Sequence, residues 1–293
     1  MNYSDFAGTK VSQLGFGLMR LPKTPEGKID FARGTRMLLR AFEAGVNYFD
    51  TAYMYHDGES EVFCGEALSS LPRSSYFLAD KMPSWMCHSV ADVQTVFQEQ
   101  LRRCRTDYFD NYLIHSVTRD NVGKIEEYKV YPQLVRLREE GRIRHLGFSF
   151  HGDPALLEEM LTKYDGFEFV QLQLNYFDWE YQNAKELHRI VRAHGLPIIV
   201  MEPVRGGMLA DLSSSANRIF REYGPDYSVA SWAIRYAAGL DGVMTVLSGM
   251  SDEAQTEDNL RNCSLPPLTE ADFRVIDRAL AEFRRDKIGR AHV

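Results

Sequence analysis

The chain has 293 residues, is 44% hydrophobic and 26% charged, and carries a formal net charge of −7 at pH 7. That acidic balance argues against nucleic acid as the main partner, which asks for a basic footprint. The N-terminal MNYSDFAGTK has no apolar targeting run and no stretch is long and apolar enough to span a bilayer, so no membrane partner and a cytoplasmic location are expected.

Strand-like and helix-like segments then alternate. A strand is predicted over 11–19 (VSQLGFGLM), then a helix over 31–45 that Gly45 would end. Strand 47–52 is followed by helix 60–71, strand 76–82 by helix 91–105, and strand 109–116 by helix 127–141. The second half repeats the scheme: 143–150 with 153–164, 167–175 with 183–195, 197–204 with 228–240, and 242–249 with 251–263. A last amphipathic helix, 269–284, follows Pro266 and Pro267. Apolar strands alternating with amphipathic helices read as βαβ units on a parallel sheet. Eight of them, with no low-complexity linker, predict an α/β protein: a closed (β/α)8 TIM barrel, one domain over 1–293, with a C-terminal extra helix. The least patterned stretches, 83–89, 115–124 and 206–224, all follow strands and are expected on the catalytic face.

Four chemically capable side chains sit at or just after strand ends. They are Asp50 and Tyr55 in YFDTAYMYHDGESE, Lys81 in YFLADKM and His115 in YFDNYLIHS. Singly, each has a structural reading: Asp50 as a cap, Tyr55 as a half-buried aromatic, Lys81 as a solvated strand end, His115 as a satisfied core histidine. In a barrel, however, all four face one mouth. A phenol donates poorly at its free pKa of ~10, and a nearby ammonium lowers that value. Such a set could protonate a carbonyl oxygen. With no obvious nucleophile, the hydride would come from a cofactor. Cys64, Cys87, Cys104 and Cys263 are widely spaced and form no CxxC pair, so neither a metal site nor a disulfide framework is expected.

These motifs, in register along nearly the whole chain, resemble those of the aldo-keto reductase superfamily. FDTAYMYHDGESE is similar to the FDTAxxYGxGxSE signature, and YFDNYLIH to the DxxDLYLIH segment. IRHLGFSF resembles IRxIGVSN, MEPVRGGML the seventh-strand xxPLxxGxL motif, and VLSGMSDEAQTEDNL the eighth-strand cofactor segment. The resemblance implies NAD(P)H as cofactor and a small-molecule carbonyl as substrate, reduced or formed in the reverse direction. Tyr55 would be the proton donor, Lys81 paired with Asp50 would lower its pKa, and His115 would orient the carbonyl. Ser149 and Gln171 would hold the nicotinamide carboxamide and Met201 would lie on its ring. Pro203, Val204 and Gly206 would sit near the pyrophosphate. Gly249, Met250, Ser251, Gln255 and Asn259 would surround the adenosine end, with Gly17 and Met19 lining the mouth.

The chain also departs from the pattern. Phe150 replaces the asparagine of the SN pair, and Met201 stands where many members have an aromatic. The eighth-strand segment lacks the basic residues that grip a 2′-phosphate, and Asp252, Glu253, Glu257 and Asp258 there are acidic. NADH tolerance and weak discrimination in favour of NADPH are therefore expected, with Arg205 and Arg261 as the remaining cations in reach. The wording GFGLMRLP, GFSFHG and SGMS resembles a bacterial branch whose longer members carry a C-terminal cysteine-rich ferredoxin-like extension; no such cluster occurs up to Val293. Potassium-channel β subunits of the same superfamily keep the four residues in a regulatory role, so a binding protein with little turnover is the alternative. A monomer or small homo-oligomer is expected.

Overall fold

Parallel strands buried on both faces read as near-continuous apolar runs, and such runs build the centre of this molecule. The computed structural model describes residues 1–291. Eight strands form it: β3 (Leu14–Gly17), β4 (Tyr48–Asp50), β5 (Phe77–Met82), β6 (Phe109–Val117), β7 (Ile143–Phe150), β8 (Phe169–Gln173), β9 (Ile198–Met201) and β10 (Val243–Gly249). They close in sequence order, β10 pairing with β3, and every pair is parallel. The predicted (β/α)8 barrel is therefore present.

The first predicted strand is divided. Tyr3–Phe6 (β1) and Thr9–Ser12 (β2) form an antiparallel hairpin, and the barrel strand starts only at Leu14. The turn uses Ala7 and Gly8 at φ 49° and 77°. Glycine takes this conformation freely and alanine does not, so the pair is a weak hairpin signal. Phe6 and Val11 pack with Tyr48, Phe77, Phe169 and Met244, from the beginnings of the barrel strands. The hairpin thus stops the barrel at the end opposite the catalytic face.

The helices around the barrel are α1 (Phe31–Glu43), α2 (Glu59–Ala67), α3 (Val90–Arg103), α4 (Gly123–Glu127), α5 (Val130–Glu139), α6 (Pro154–Lys163), α7 (Ala184–Ala193), α8 (Ser214–Tyr223), α9 (Val229–Ala238) and α10 (Glu253–Asn262). The predicted helix over 127–141 is α5 with a shorter α4 ahead of it. Lys129 at φ 51° breaks the run, and Pro132 falls in the first turn of α5, where its missing N–H is harmless. Helix α8 lies inside a stretch read as unpatterned, because its start, SSSAN, is rich in loop-favouring residues. It is anchored by the Ser213 cap on the Ala216 amide and by buried Ala216 and Phe220. The C-terminal extra helix, α11, spans Glu270–Ala291. Its Val275, Ile276, Ala279, Leu280 and Phe283 join Phe220 and Trp232 in a second apolar cluster outside the main core. Among the described residues no helix is long and apolar enough to cross a membrane.

Candidate active site

Lys81 extends from the end of β5 into the barrel interior, with no exposed surface. Its Nζ donates to Asp50 Oδ1 at 2.5 Å, to the Thr51 carbonyl at 2.7 Å and to Tyr55 Oη at 3.4 Å. Register places Asp50 beside Ala79 on the adjoining strand, two residues before Lys81, which fixes the pair. Burial works against the Lys81 ammonium, but Asp50, Tyr55 and Asp80 together outweigh it and hold its pKa above the ordinary lysine value. Burial raises the Asp50 carboxyl, with Lys81 pulling it back. Its second oxygen, Oδ2, is buried without a hydrogen-bond partner.

Tyr55 sits on a tight turn after β4. Its amide donates to the Ala52 carbonyl at 3.0 Å, and His56, Asp57 and Gly58 follow with positive φ. His56 Nε2 accepts the Leu21 amide at 3.3 Å, which ties this turn to the loop after β3. The expected pull of Lys81 on the phenol is present, but it does not set the net value. Lys81 does pull downward, but burial is the larger effect and the Tyr55 pKa stands above the ordinary tyrosine value. The phenol is therefore in its protonated form near neutrality.

His115 lies where β6 leaves its register with β7, between Ile114 and Val117. The next residue, Ser116, takes φ 51°, a costly conformation for a non-glycine residue. Its amide donates to Ser149 Oγ at 2.6 Å and its carbonyl accepts Asn121 Nδ2 at 2.7 Å, so both neighbours hold the bulge. The His115 ring is 6.0 Å from that of Tyr55 and 5.1 Å from that of Trp85. Burial, helped by Lys81 and His151, pushes its pKa well below the ordinary histidine value, and its Nδ1 is buried without a partner.

Above these residues opens a cavity of about 540 Å³. Asp50, Tyr55 and His115 line it, whereas Lys81 lies beneath. Of the other sequence-predicted residues, Gly17, Met19, Ser149, Gln171, Met201, Pro203, Val204, Gly206, Gly249, Ser251, Gln255 and Asn259 line it as well. Met250 does not: just past the end of β10, its side chain is fully buried in the main core. Gln171 Nε2 lies 3.6 Å from Met201 Sδ, and Gln171 Oε1 is buried without a partner. Asn259 Nδ2 donates to Ser248 Oγ at 2.8 Å.

Sequence reading missed several lining residues. Ala230 and Ile234 come from α9, and Ala210 from the unpatterned stretch before α8. Glu202 lies between Met201 and Pro203, which was its only signal, and Asp258, read only as part of an acidic run, lines the cavity too. Arg20, one residue past Met19, was missed altogether. Two expectations about charge also change. Arg205 pairs with buried Asp178 at 2.9 Å and Arg261 with Asp258 at 2.6 Å, so neither is a spare cation. The acidic residues of α10 are themselves paired: Glu253 with Arg33 at 2.6 Å and Glu257 with Arg40 at 2.7 Å, both arginines from α1.

Residues 13–281 match the aldo/keto reductase family. The chain belongs to that family. This aldo/keto reductase is an NAD(P)-dependent oxidoreductase that acts on carbonyl chemistry in general terms. It is 26% identical to an uncharacterized oxidoreductase, YqkF, of Bacillus subtilis, over 96% of this chain and 95% of that protein. It is 28% identical to the NADH-specific methylglyoxal reductase of Escherichia coli, over 73% of this chain and 68% of that one. Among solved structures, the holo form of aldo-keto reductase AKR11C1 from Bacillus halodurans superposes with a TM-score of 0.79 at 27% identity, covering 95% and 96% of the two chains. An aldo/keto reductase from Klebsiella pneumoniae, solved with NADP and acetate, superposes with a TM-score of 0.76 at 22% identity, with 92% of each chain covered, and shows the shared fold.

Proposed function

We propose that this chain reduces an aldehyde or ketone to the alcohol, or runs the reverse, with Tyr55 as the general acid. The observation that carries the reading is the Lys81 ammonium, which meets Asp50 at 2.5 Å and Tyr55 at 3.4 Å directly beneath the cavity. NAD(P)H supplies the hydride when bound. The residues present fit it: Gln171 Oε1, a buried acceptor without a partner, suits a carboxamide N–H, and Gly206 in the cavity wall leaves open space beside its backbone for a ligand. Met201 offers a polarizable thioether to a flat ring.

The chemistry follows from the groups in place. His115, held neutral by burial, can hydrogen-bond a carbonyl oxygen without adding a competing cation. The Tyr55 hydroxyl then gives its proton to that oxygen as negative charge develops there. Lys81 stabilises the phenolate left behind, and Asp50 keeps Lys81 charged. In the reverse direction the same phenolate takes the alcohol proton.

The test is turnover of a panel of aldehydes and ketones, followed by NAD(P)H oxidation, in the native chain and in Tyr55→Phe. The variant should bind cofactor normally and lose about 10²–10⁴-fold in kcat, the usual contribution of one general acid. Native-like kcat in Tyr55→Phe would remove Tyr55 from the proton-donor role. No turnover by the native chain across the panel, with cofactor bound, would favour a binding protein.

A further inference from the structure

Among the described residues that line the cavity, Arg20 is the only arginine or lysine. Of the acidic residues that line the same space, Asp50 is paired with Lys81 and Asp258 with Arg261, which leaves Glu202 without an ion pair among the described residues. The surrounding cations are committed elsewhere: Arg205 to Asp178, Arg261 to Asp258 and Arg33 to Glu253. Arg20 is exposed and pairs with no carboxylate among the described residues.

Its position is nevertheless fixed at the stem. Arg20 belongs to the single helical turn Leu18–Arg20 that follows β3, and its carbonyl accepts Ser251 Oγ at 2.8 Å. A Cβ built on Gly249 would fall 2.7 Å from Arg20 Cγ and 2.9 Å from Arg20 Cβ. The missing side chain at 249 is thus the seat on which the arginine stem lies. The first and last barrel strands are neighbours, so the first loop lends its cation to the loop after β10, which has none of its own in the cavity.

We propose that Arg20 grips a phosphate of the bound dinucleotide, supplying from the loop after β3 the cation that the loop after β10 lacks. The proposal rests on the dinucleotide reading of this cavity. A guanidinium suits the task. It is planar, always charged, and meets phosphate oxygens through paired N–H donors. On a chain of net charge −7, a local unpaired cation favours a multiply anionic ligand in a cavity that Glu202 also lines. The dinucleotide offers phosphate in two places, the pyrophosphate and, in NADP, the 2′-phosphate.

Calorimetric titration of NAD⁺ and of NADP⁺ into the native chain, Arg20→Met and Arg20→Lys tests this. Methionine keeps an apolar stem on Gly249 and removes the charge. Arg20→Met should weaken at least one cofactor about tenfold or more, as expected for loss of a charge-assisted pair. Arg20→Lys, which keeps the charge without the fork, should lie in between. A loss confined to NADP⁺ puts the guanidinium on the 2′-phosphate, and an equal loss for both cofactors puts it on the pyrophosphate; either supports the proposal. The affinity of the native chain should also fall more steeply with added salt than that of Arg20→Met. Unchanged affinity of Arg20→Met for both cofactors would overturn the role of Arg20 while leaving the dinucleotide reading intact. A native chain that binds neither cofactor would overturn both.

Discussion

Two buried groups of the site have their charge states set mainly by desolvation. Tyr55 is raised above the ordinary phenol value and His115 is pushed well below the ordinary imidazole value. For an acid with a raised pKa the donor form persists to higher pH; for a base with a lowered pKa the neutral form persists to lower pH. Reduction should therefore show a flat kcat/KM from about pH 6.5 to about pH 9, with loss only above the ordinary phenol value of ~10. A titration near pH 7–8 in that profile would mean that another group controls the proton. Next to Lys81, Asp80 is fully buried and accepts the Lys81 amide at 2.8 Å and the Cys104 thiol at 3.7 Å. Burial, then the charge of buried Glu61, holds it well above the usual carboxylate range; Lys81 and, through Glu61, Arg103 are the opposing cations around it. A raised folded-state pKa stabilises fully below the unfolded value of ~3.9, and that contribution is lost as pH rises through the folded value. Asp80→Asn escapes the loss. Its melting temperature relative to the native chain should rise as pH increases above the unfolded value of ~3.9, and a difference independent of pH would refute the assignment.

At the scale of elements, α8, α9 and α11 form a block outside the barrel wall. Phe220 of α8 stacks on Trp232 of α9 at 5.0 Å, and α11 covers both with Ile276, Ala279 and Leu280. Helix α9 also gives Ala230 and Ile234 to the cavity, so the block supports its wall. Truncating a buried leucine removes its transfer energy and leaves a cavity. Leu280→Ala should cost about 2–5 kcal/mol in urea unfolding, yet leave kcat near native because Asp50, Lys81 and His115 lie on barrel strands and Tyr55 on the turn after β4. Destabilisation below about 0.5 kcal/mol, the size of an ordinary surface change, would show that α11 is dispensable to the block.

For the whole molecule, closure matters most. Each barrel strand pairs on both sides and β10 returns to β3, so no edge exists at which the sheet could open separately. The hairpin of β1 and β2 packs into the same interior cluster as Leu113, Ile199 and Leu247. The described barrel should then unfold as one unit, with a single calorimetric transition whose calorimetric and van't Hoff enthalpies agree. Two resolved transitions would show that the block of α8, α9 and α11, or another part, folds independently.

Local periodicity was enough to order the eight barrel strands and eight of the helices that follow them, because each buries a continuous or one-sided apolar face that is written in consecutive residues. The same strand ends exposed Asp50, Tyr55, Lys81 and His115 as a group. Features made by partners distant in sequence were not legible. The hairpin rests on an Ala7–Gly8 turn with little intrinsic preference, and α8 begins with residues that favour loops. The acidic run of α10 read as a repulsive patch until arginines some 220 positions away, Arg33 and Arg40, were found against it. Arg20 meets Gly249 only because the barrel closes. The phenol's raised pKa is a property of burial, and burial belongs to the tertiary structure: the sequence names the ammonium that lowers a phenol, while only the fold decides how much water is left to oppose it.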